Sequence, residues 1–141
     1  MIIDKLKKSA IKSFKSLYKM LPLILGVLLL VSLIPVLIPK SFYVRFFQKN
    51  PILDSVIGSI IGSISAGSPI TSYILGGEFL KDGVSLFAVT AFIVAWVTVG
   101  IIQLPAESLI LGKKFAIIRN ATSFLFAIIV ALITVFLLNI I

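Results

Sequence analysis

Long apolar runs alternate along the chain with short polar stretches that contain glycine and proline. Residues 21–39 are an uncharged run of 19 residues. As a helix this run would reach roughly 28 Å, close to the hydrocarbon thickness of a bilayer. Residues 84–103, with Asp82 as their cap, and residues 115–141 predict two further crossings. The pattern therefore predicts an all-α integral membrane protein with three transmembrane helices.

The first 20 residues combine apolar positions at steps of three or four with lysines on a neighbouring face. This pattern predicts an amphipathic interfacial helix whose lysines contact anionic lipid headgroups. A solvated basic leader is the alternative. Residues 40–51, which mix cations with aromatic rings, predict an interfacial loop. We therefore divide the chain into an interfacial helix, residues 1–20, and a transmembrane domain, residues 21–141.

Small residues form one whole face of the segment that begins at Pro51. Such a face lets a second backbone approach closely, which favours helix packing in lipid. The helix-packing residues that this pattern predicts are Ser55, Gly58, Ser59, Gly62 and Ala66. Packing of the small faces of two copies would make a homodimer possible.

The same segment breaks at Gly67-Ser68-Pro69. A helix from Pro51 to Ala66 would reach only roughly 24 Å, which is short for a full crossing. Carbonyl groups freed at membrane depth are tolerated only inside protein or beside a water-filled cavity. Gly76-Gly77 is expected to end the segment. We therefore predict a broken or re-entrant helix around residues 52–77.

A second irregular polar stretch is predicted at residues 103–107. The pattern PxxSxILGxxF begins at Pro69 and again at Pro105, 36 residues later. In a chain so rich in Ile and Leu this echo is either accidental or a structural repeat. A repeat would pair two discontinuous elements, the arrangement that marks binding sites in transporters.

Composition narrows the classes of function. The chain is 60% hydrophobic and contains no cysteine and no histidine, which disfavours thiolate or histidine metal sites and the usual general base. We therefore expect no enzyme activity, metal or cofactor. The net charge of +8 comes from cations that flank apolar spans, so we interpret it as a topology signal and not as a nucleic-acid surface.

Two motifs carry a family resemblance. The stretch Ala66-Gly-Ser-Pro-Ile-Thr-Ser72 is a small-residue turn, and Gly83-Val-Ser-Leu-Phe-Ala-Val-Thr-Ala-Phe92 follows it. Together they resemble the predicted-permease family that contains the organoarsenical efflux permeases, over roughly residues 55–110. Members of that family have two related halves and about twice this length, so the resemblance implies two copies of this chain. Cysteines that members often carry in the turn are replaced by Ala66, Gly67 and Ser68, so thiol binding of arsenicals is not supported.

The distribution of cations bears on topology. If the 52–77 segment crosses fully, the cations divide seven against six between the two sides. If it re-enters, they divide nine against four, and the positive-inside rule places the N-terminus in the cytoplasm. We favour the re-entrant arrangement, in a multi-pass protein of the cytoplasmic membrane.

The resulting hypothesis is a homo-oligomeric permease, most simply a dimer, for an unknown small solute. Its predicted substrate-path residues are Ser63, Ser65, Gly67, Ser68, Pro69, Thr71, Ser72, Gln103, Pro105 and Glu107. Glu107 is the sharpest candidate, because a carboxylate between apolar stretches is costly and usually functional. A headgroup-level pair with Lys113 or Lys114 is its structural alternative. The rival class is a non-transporting membrane protein: a scaffold, a partner subunit or a holin-like pore former.

Overall fold

The computed structural model describes residues 2–37, 39–47, 50–65 and 67–141 of the chain. These residues are helical, with no strand in the described ranges, so the predicted all-α class is confirmed. The helices are α1 (Ile2–Leu37), α2 (Lys40–Phe46), α3 (Pro51–Ile64), α4 (Pro69–Lys81), α5 (Leu86–Thr98), α6 (Leu104–Leu111) and α7 (Lys113–Leu138). The chain divides into two compact units, Met1–Leu37 and Ile38–Ile141.

The first unit is the single helix α1, which contains 36 residues and extends for about 54 Å. The predicted interfacial segment and the apolar run that follows it share this helix, with no interruption at residue 20. Its N-terminal half exposes both its apolar stripe and its lysines. Assignment of the two halves to the bilayer surface and interior stays a prediction.

The second unit begins with α2, where the prediction of a loop was wrong. Lys40–Phe46 is a short helix in which the rings of Phe42 and Phe46, one turn apart, lie 4.7 Å from centroid to centroid. This i, i+4 aromatic contact stabilises a helical turn that a reading of the charges alone does not indicate.

The helix of small residues ends at Ile64, and α4 starts at Pro69. Asn50 caps α3 by accepting a hydrogen bond from the backbone N–H of Ile52. Ser68 caps α4, and Pro69 occupies its first turn, where the missing N–H costs nothing. The interruption predicted at residues 67–69 is therefore present. Gly76-Gly77, predicted to end the segment, lies within α4, where Gly76 packs closely against the side chains of Val89 and Ile93.

The helix α5 is shorter than predicted. It covers Leu86–Thr98, about 20 Å, whereas a full crossing was expected over residues 84–103. Its cap is Ser85, while Asp82 follows the last residue of α4. The second interruption spans residues 99–103, and residues 104–107, predicted to be irregular, form the first turn of α6 around Pro105. Proline suits a first turn, so it starts this helix after the break.

The order of contacts fixes the helix directions. A Cβ on Gly58 would meet Ala88, and one on Gly62 would meet Phe92, so α3 and α5 run parallel. Gly67 lies beside Trp96 and Gly76 beside Val89, so α4 packs against α5 and runs antiparallel to it. The short α3 therefore runs in one direction and α4 returns in the other; that this pair re-enters a membrane stays a prediction.

The remaining helices pack on this pair. The helix α7 runs antiparallel to α5, because Asn120 bonds Gly100 while Ala127 packs with Ala95 and Val99. Gly112, at φ +91°, adopts a conformation that favours glycine and joins α6 to α7 in a tight turn. Contact of Glu107 with the α7 side chains two turns beyond Gly112 places α6 against the start of α7.

One helix of the described residues, α7, is long and apolar enough to cross a membrane. Its 26 residues extend for about 39 Å. The helices α3 and α5 are apolar but shorter. Three full crossings are therefore not established by helix length.

Candidate functional site

The first break is the interruption between the end of α3 at Ile64 and the start of α4 at Pro69, and it contains hydroxyl groups and one glycine. The Ser65 hydroxyl donates to the Ile61 carbonyl at 2.7 Å, and Ser68 Oγ lies 3.2 Å from Thr71 Oγ1. Gly67 adopts φ +154°, which side chains with a Cβ rarely adopt, and this lets the chain reverse in four residues. The hydroxyl groups of the break therefore form hydrogen bonds with backbone groups at the end of α3 and the start of α4.

An aromatic side chain from α5 contacts this break. The indole N–H of Trp96 donates to the Gly67 carbonyl at 3.3 Å. Trp96 also stacks edge-on against Phe92, which in turn contacts Phe79 on α4. The carbonyl freed by the break is thus partnered across 29 residues of sequence. This places the first break next to the last turn of α5, where the second break begins.

The second break comprises residues 99–103, between α5 and α6, and Asn120 on α7 forms hydrogen bonds to it and to the start of α6. Its Oδ1 accepts a hydrogen bond from the Gly100 backbone N–H at 2.8 Å. Its Nδ2 donates to the Ala116 carbonyl at 2.9 Å and to Glu107 Oε2 at 3.3 Å. Asn120 is only 6% exposed, so these bonds replace water that it cannot reach. A single amide therefore joins the end of α5, the first turn of α6 and α7.

An ion pair completes the second break. Arg119 Nη2 lies 2.9 Å from Glu107 Oε1 and also donates to the Thr98 carbonyl at 3.5 Å. The Glu107 side chain is 16% exposed and that of Arg119 is 38% exposed. The cation therefore lies between a carboxylate and the carbonyl end of α5, where a positive charge is favoured. The structural alternative, a pair of Glu107 with Lys113 or Lys114, was wrong in its partner, because the turn at Gly112 brings Arg119 in the second turn of α7 beside α6.

The small face of α3 is buried inside the chain. Ser55, Gly58, Ser59, Gly62 and Ser63 are all buried, and α5 covers them. Ala66 lies outside the described residues. Because α5 already occupies this face, it offers no surface to a second copy, and the expectation that dimers form through it was wrong.

Several predicted path residues belong to local structure. The hydroxyl of Ser63 donates to the Ser59 carbonyl and that of Ser72 to the Pro69 carbonyl, and both serines are buried. Gln103 and Pro105 are exposed. The structure thus brings the first-break residues together with Trp96, and Glu107 together with Arg119 and Asn120.

Sequence reasoning missed Trp96, Arg119 and Asn120. Each contacts a residue in or beside a break, and these contacts join residues 12 to 29 positions apart in sequence. A polar residue inside an apolar helix was a usable signal for Asn120, because an amide buried among apolar residues requires partners.

No protein-family model, no curated protein and no solved structure matches the chain.

Proposed function

We propose that this chain is a subunit of a small membrane permease, in which two interrupted helices line the path of a solute. The observation that carries the proposal is the position of the breaks. Both interrupt apolar helices at the same end of the parallel α3–α5 pair, and one of them holds an ion pair. Interrupted helices of this kind present backbone and side-chain polar groups to solutes in transporters.

Exposed apolar surface supports placement of the chain in a membrane. Large side chains on α7 such as Leu125, Phe126 and Phe136 are more than half exposed. Such a surface is unfavourable in water and favourable in lipid. We propose a multi-pass arrangement in the cytoplasmic membrane in which α7 spans, α5 and α6 together form one interrupted crossing, and α3 with α4 re-enters.

We further propose that the working form is a homodimer, as the resemblance to two-half permeases implies. Because α5 covers the small face of α3, the second copy must use another surface. Native mass spectrometry of the protein released from detergent would count the chains. Monomers alone, across the concentrations used for transport, would contradict this part of the proposal.

Transport is tested with purified protein in liposomes. Light scattering after an osmotic step would follow entry of glycerol, glycine and sodium acetate. We expect the wild-type protein to accelerate entry of at least one solute, and Glu107→Gln to remove that acceleration. Glu78→Gln is the matched control, because Glu78 also pairs with a cation, Lys81, but lies away from both breaks.

A non-transporting scaffold or partner subunit is the second candidate. The close burial of the small face of α3 against α5 favours it, since this packing needs no ligand. A scaffold predicts that Glu107→Gln changes assembly, seen as an altered elution profile, and that no tested solute enters faster than into empty liposomes.

A further inference from the structure

Arg119 has unused hydrogen-bonding capacity at the second break. A guanidinium group offers a planar fork of donors that matches both oxygens of a carboxylate. Glu107 fills only part of this fork: Oε1 contacts Nη2, while Oε2 accepts from Asn120. Arg119 Nε is buried and has no hydrogen-bond partner among the described residues. The ion pair is therefore held through a single nitrogen of the fork.

A planar oxyanion that contacts both Nε and Nη2 would satisfy the donor that Glu107 leaves unpaired. Bidentate pairs are stronger and more specific than single contacts. An unpaired buried donor costs free energy, so its satisfaction favours the exchange. The Arg119 side chain is 38% exposed, whereas its Nε is buried, so an oxyanion contacts Nε only once Glu107 has moved aside.

We infer that Arg119 binds the carboxylate group of a small organic solute, in exchange for Glu107. On binding, Nε and Nη2 of Arg119 donate to the two carboxylate oxygens, and Glu107 leaves Nη2. Glu107 then keeps its hydrogen bond from Asn120 but loses its ion pair with Arg119, which is one of the contacts that hold α6 against α7.

The inference adds a substrate class to the proposed permease, but carboxylate binding can be measured without transport. If binding fails while liposomes still take up a neutral solute, the inference alone is wrong. If binding succeeds while no solute enters liposomes, the site exists and the permease proposal is wrong.

The chain contains one tryptophan, Trp96, which lies two residues before Thr98 at the second break. Its fluorescence can therefore report binding at Arg119 in the purified full chain. Sodium acetate would be titrated at constant ionic strength against sodium chloride, sodium phosphate and neutral acetamide. We expect acetate alone to change the fluorescence and raise the unfolding temperature.

Two substitutions should act in opposite directions. Glu107→Gln removes the competing charge, so it should tighten acetate binding about tenfold, while Arg119→Gln should abolish it. Arg119→Lys keeps the charge but not the fork, and should weaken acetate binding about tenfold. This third variant tests the inference even if Glu107→Gln does not fold. Glu78→Gln should leave binding unchanged.

Three results would overturn the inference. Equal responses to chloride or phosphate would show general ionic screening. Acetate binding that survives Arg119→Gln would place the site elsewhere. Weaker binding in a folded Glu107→Gln protein would mean that the two side chains bind together and do not compete.

Discussion

At the scale of single residues, the close contact between the backbones of α3 and α5 requires glycine at Gly58 and Gly62. A Cβ on Gly58 would lie 2.1 Å from the Ala88 carbonyl oxygen, whereas one on Gly77 in α4 would meet nothing within 4 Å. Gly58→Ala should therefore lower the free energy of unfolding by about 2 kcal/mol or more, because the backbones must separate. Gly77→Ala should be neutral or stabilising by about 0.5 to 1 kcal/mol. Unfolding in detergent, followed by far-UV circular dichroism, compares the two; equal losses would contradict the close packing.

Asn120 provides a second test at this scale. Asn120→Ala leaves the Gly100 N–H without its partner in a partly buried site and should destabilise the protein by about 1 to 3 kcal/mol. Thr122→Ala, on the same helix, removes only an exposed hydroxyl that bonds its own backbone, and should change stability by less than about 0.5 kcal/mol. Thermal midpoints of the two variants check this difference, and a mild Asn120→Ala variant would mean that water replaces the amide.

The sequence predicts the role of a residue well where that role depends only on the spacing of residues within one helix. The spacing of Gly58 and Gly62 indicates close packing, because positions four apart share a face. The pairing of Glu107 with Arg119 could not be predicted from spacing, because the two residues lie on different helices. It depends on the turn at Gly112 folding α6 back, and three cations, Lys113, Lys114 and Arg119, competed as partners.

At the scale of elements, the start of α5 depends on its neighbour. The Ser85 hydroxyl accepts from the Ala88 N–H at 3.3 Å and lies within hydrogen-bonding reach of the Asp54 carboxyl group. Asp54 is 2% exposed, and its Oδ1 lacks a partner among the described residues. One serine thus ties together the first turns of two parallel helices.

Replacement of this cap should cost more than replacement of a cap in the first break. Ser85→Ala removes a helix cap and a partner of a buried carboxyl group, and should destabilise by about 2 kcal/mol. Ser68→Ala removes the cap of α4 and a hydroxyl contact with Thr71 but no partner of a buried carboxyl group, and should cost about 1 kcal/mol. Chemical unfolding ranks the two variants, and Ser85→Thr should recover most of the loss. The reverse order would show that Asp54 gains nothing from Ser85.

The breaks themselves were largely predictable, because proline after glycine and serine cannot continue a helix. The residues at which the breaks begin and end were not predictable in the same way. The prolines at 69 and 105 each begin a helix, so the second break lies before Pro105 and not around it. Both copies of PxxSxILGxxF begin in the first turn of a helix, but they differ at the shared glycine, since Gly76 lies within α4 and Gly112 forms a turn.

At the scale of the whole molecule, three segments meet at one end of the second unit. The end of α7 contacts Pro51 and Phe87 around an apolar groove of about 450 Å³. The start of α7 lies at the other end, beside the second break. The proposed re-entrant topology therefore places the α4–α5 turn and the C-terminus on one side of the membrane and Lys113 on the other.

Single cysteines test this topology directly, because the natural chain has none. Lys81→Cys and Asn139→Cys should react with an impermeant maleimide from the same side of right-side-out vesicles. Lys113→Cys should react only after the vesicles are inverted or opened. Labelling of all three from one side would contradict a crossing by α7.

The parallel contact of α3 with α5 also has a consequence for synthesis. Gly58 emerges from the ribosome 30 residues ahead of Ala88, its partner. At roughly 5 to 20 residues per second, α3 waits for about 2 to 6 seconds with its serines and glycines uncovered. During that interval neither lipid nor α4, which is made next, can replace the α5 backbone. The small face of α3 therefore stays without its partner until α5 has been made, and the two helices gain this contact together.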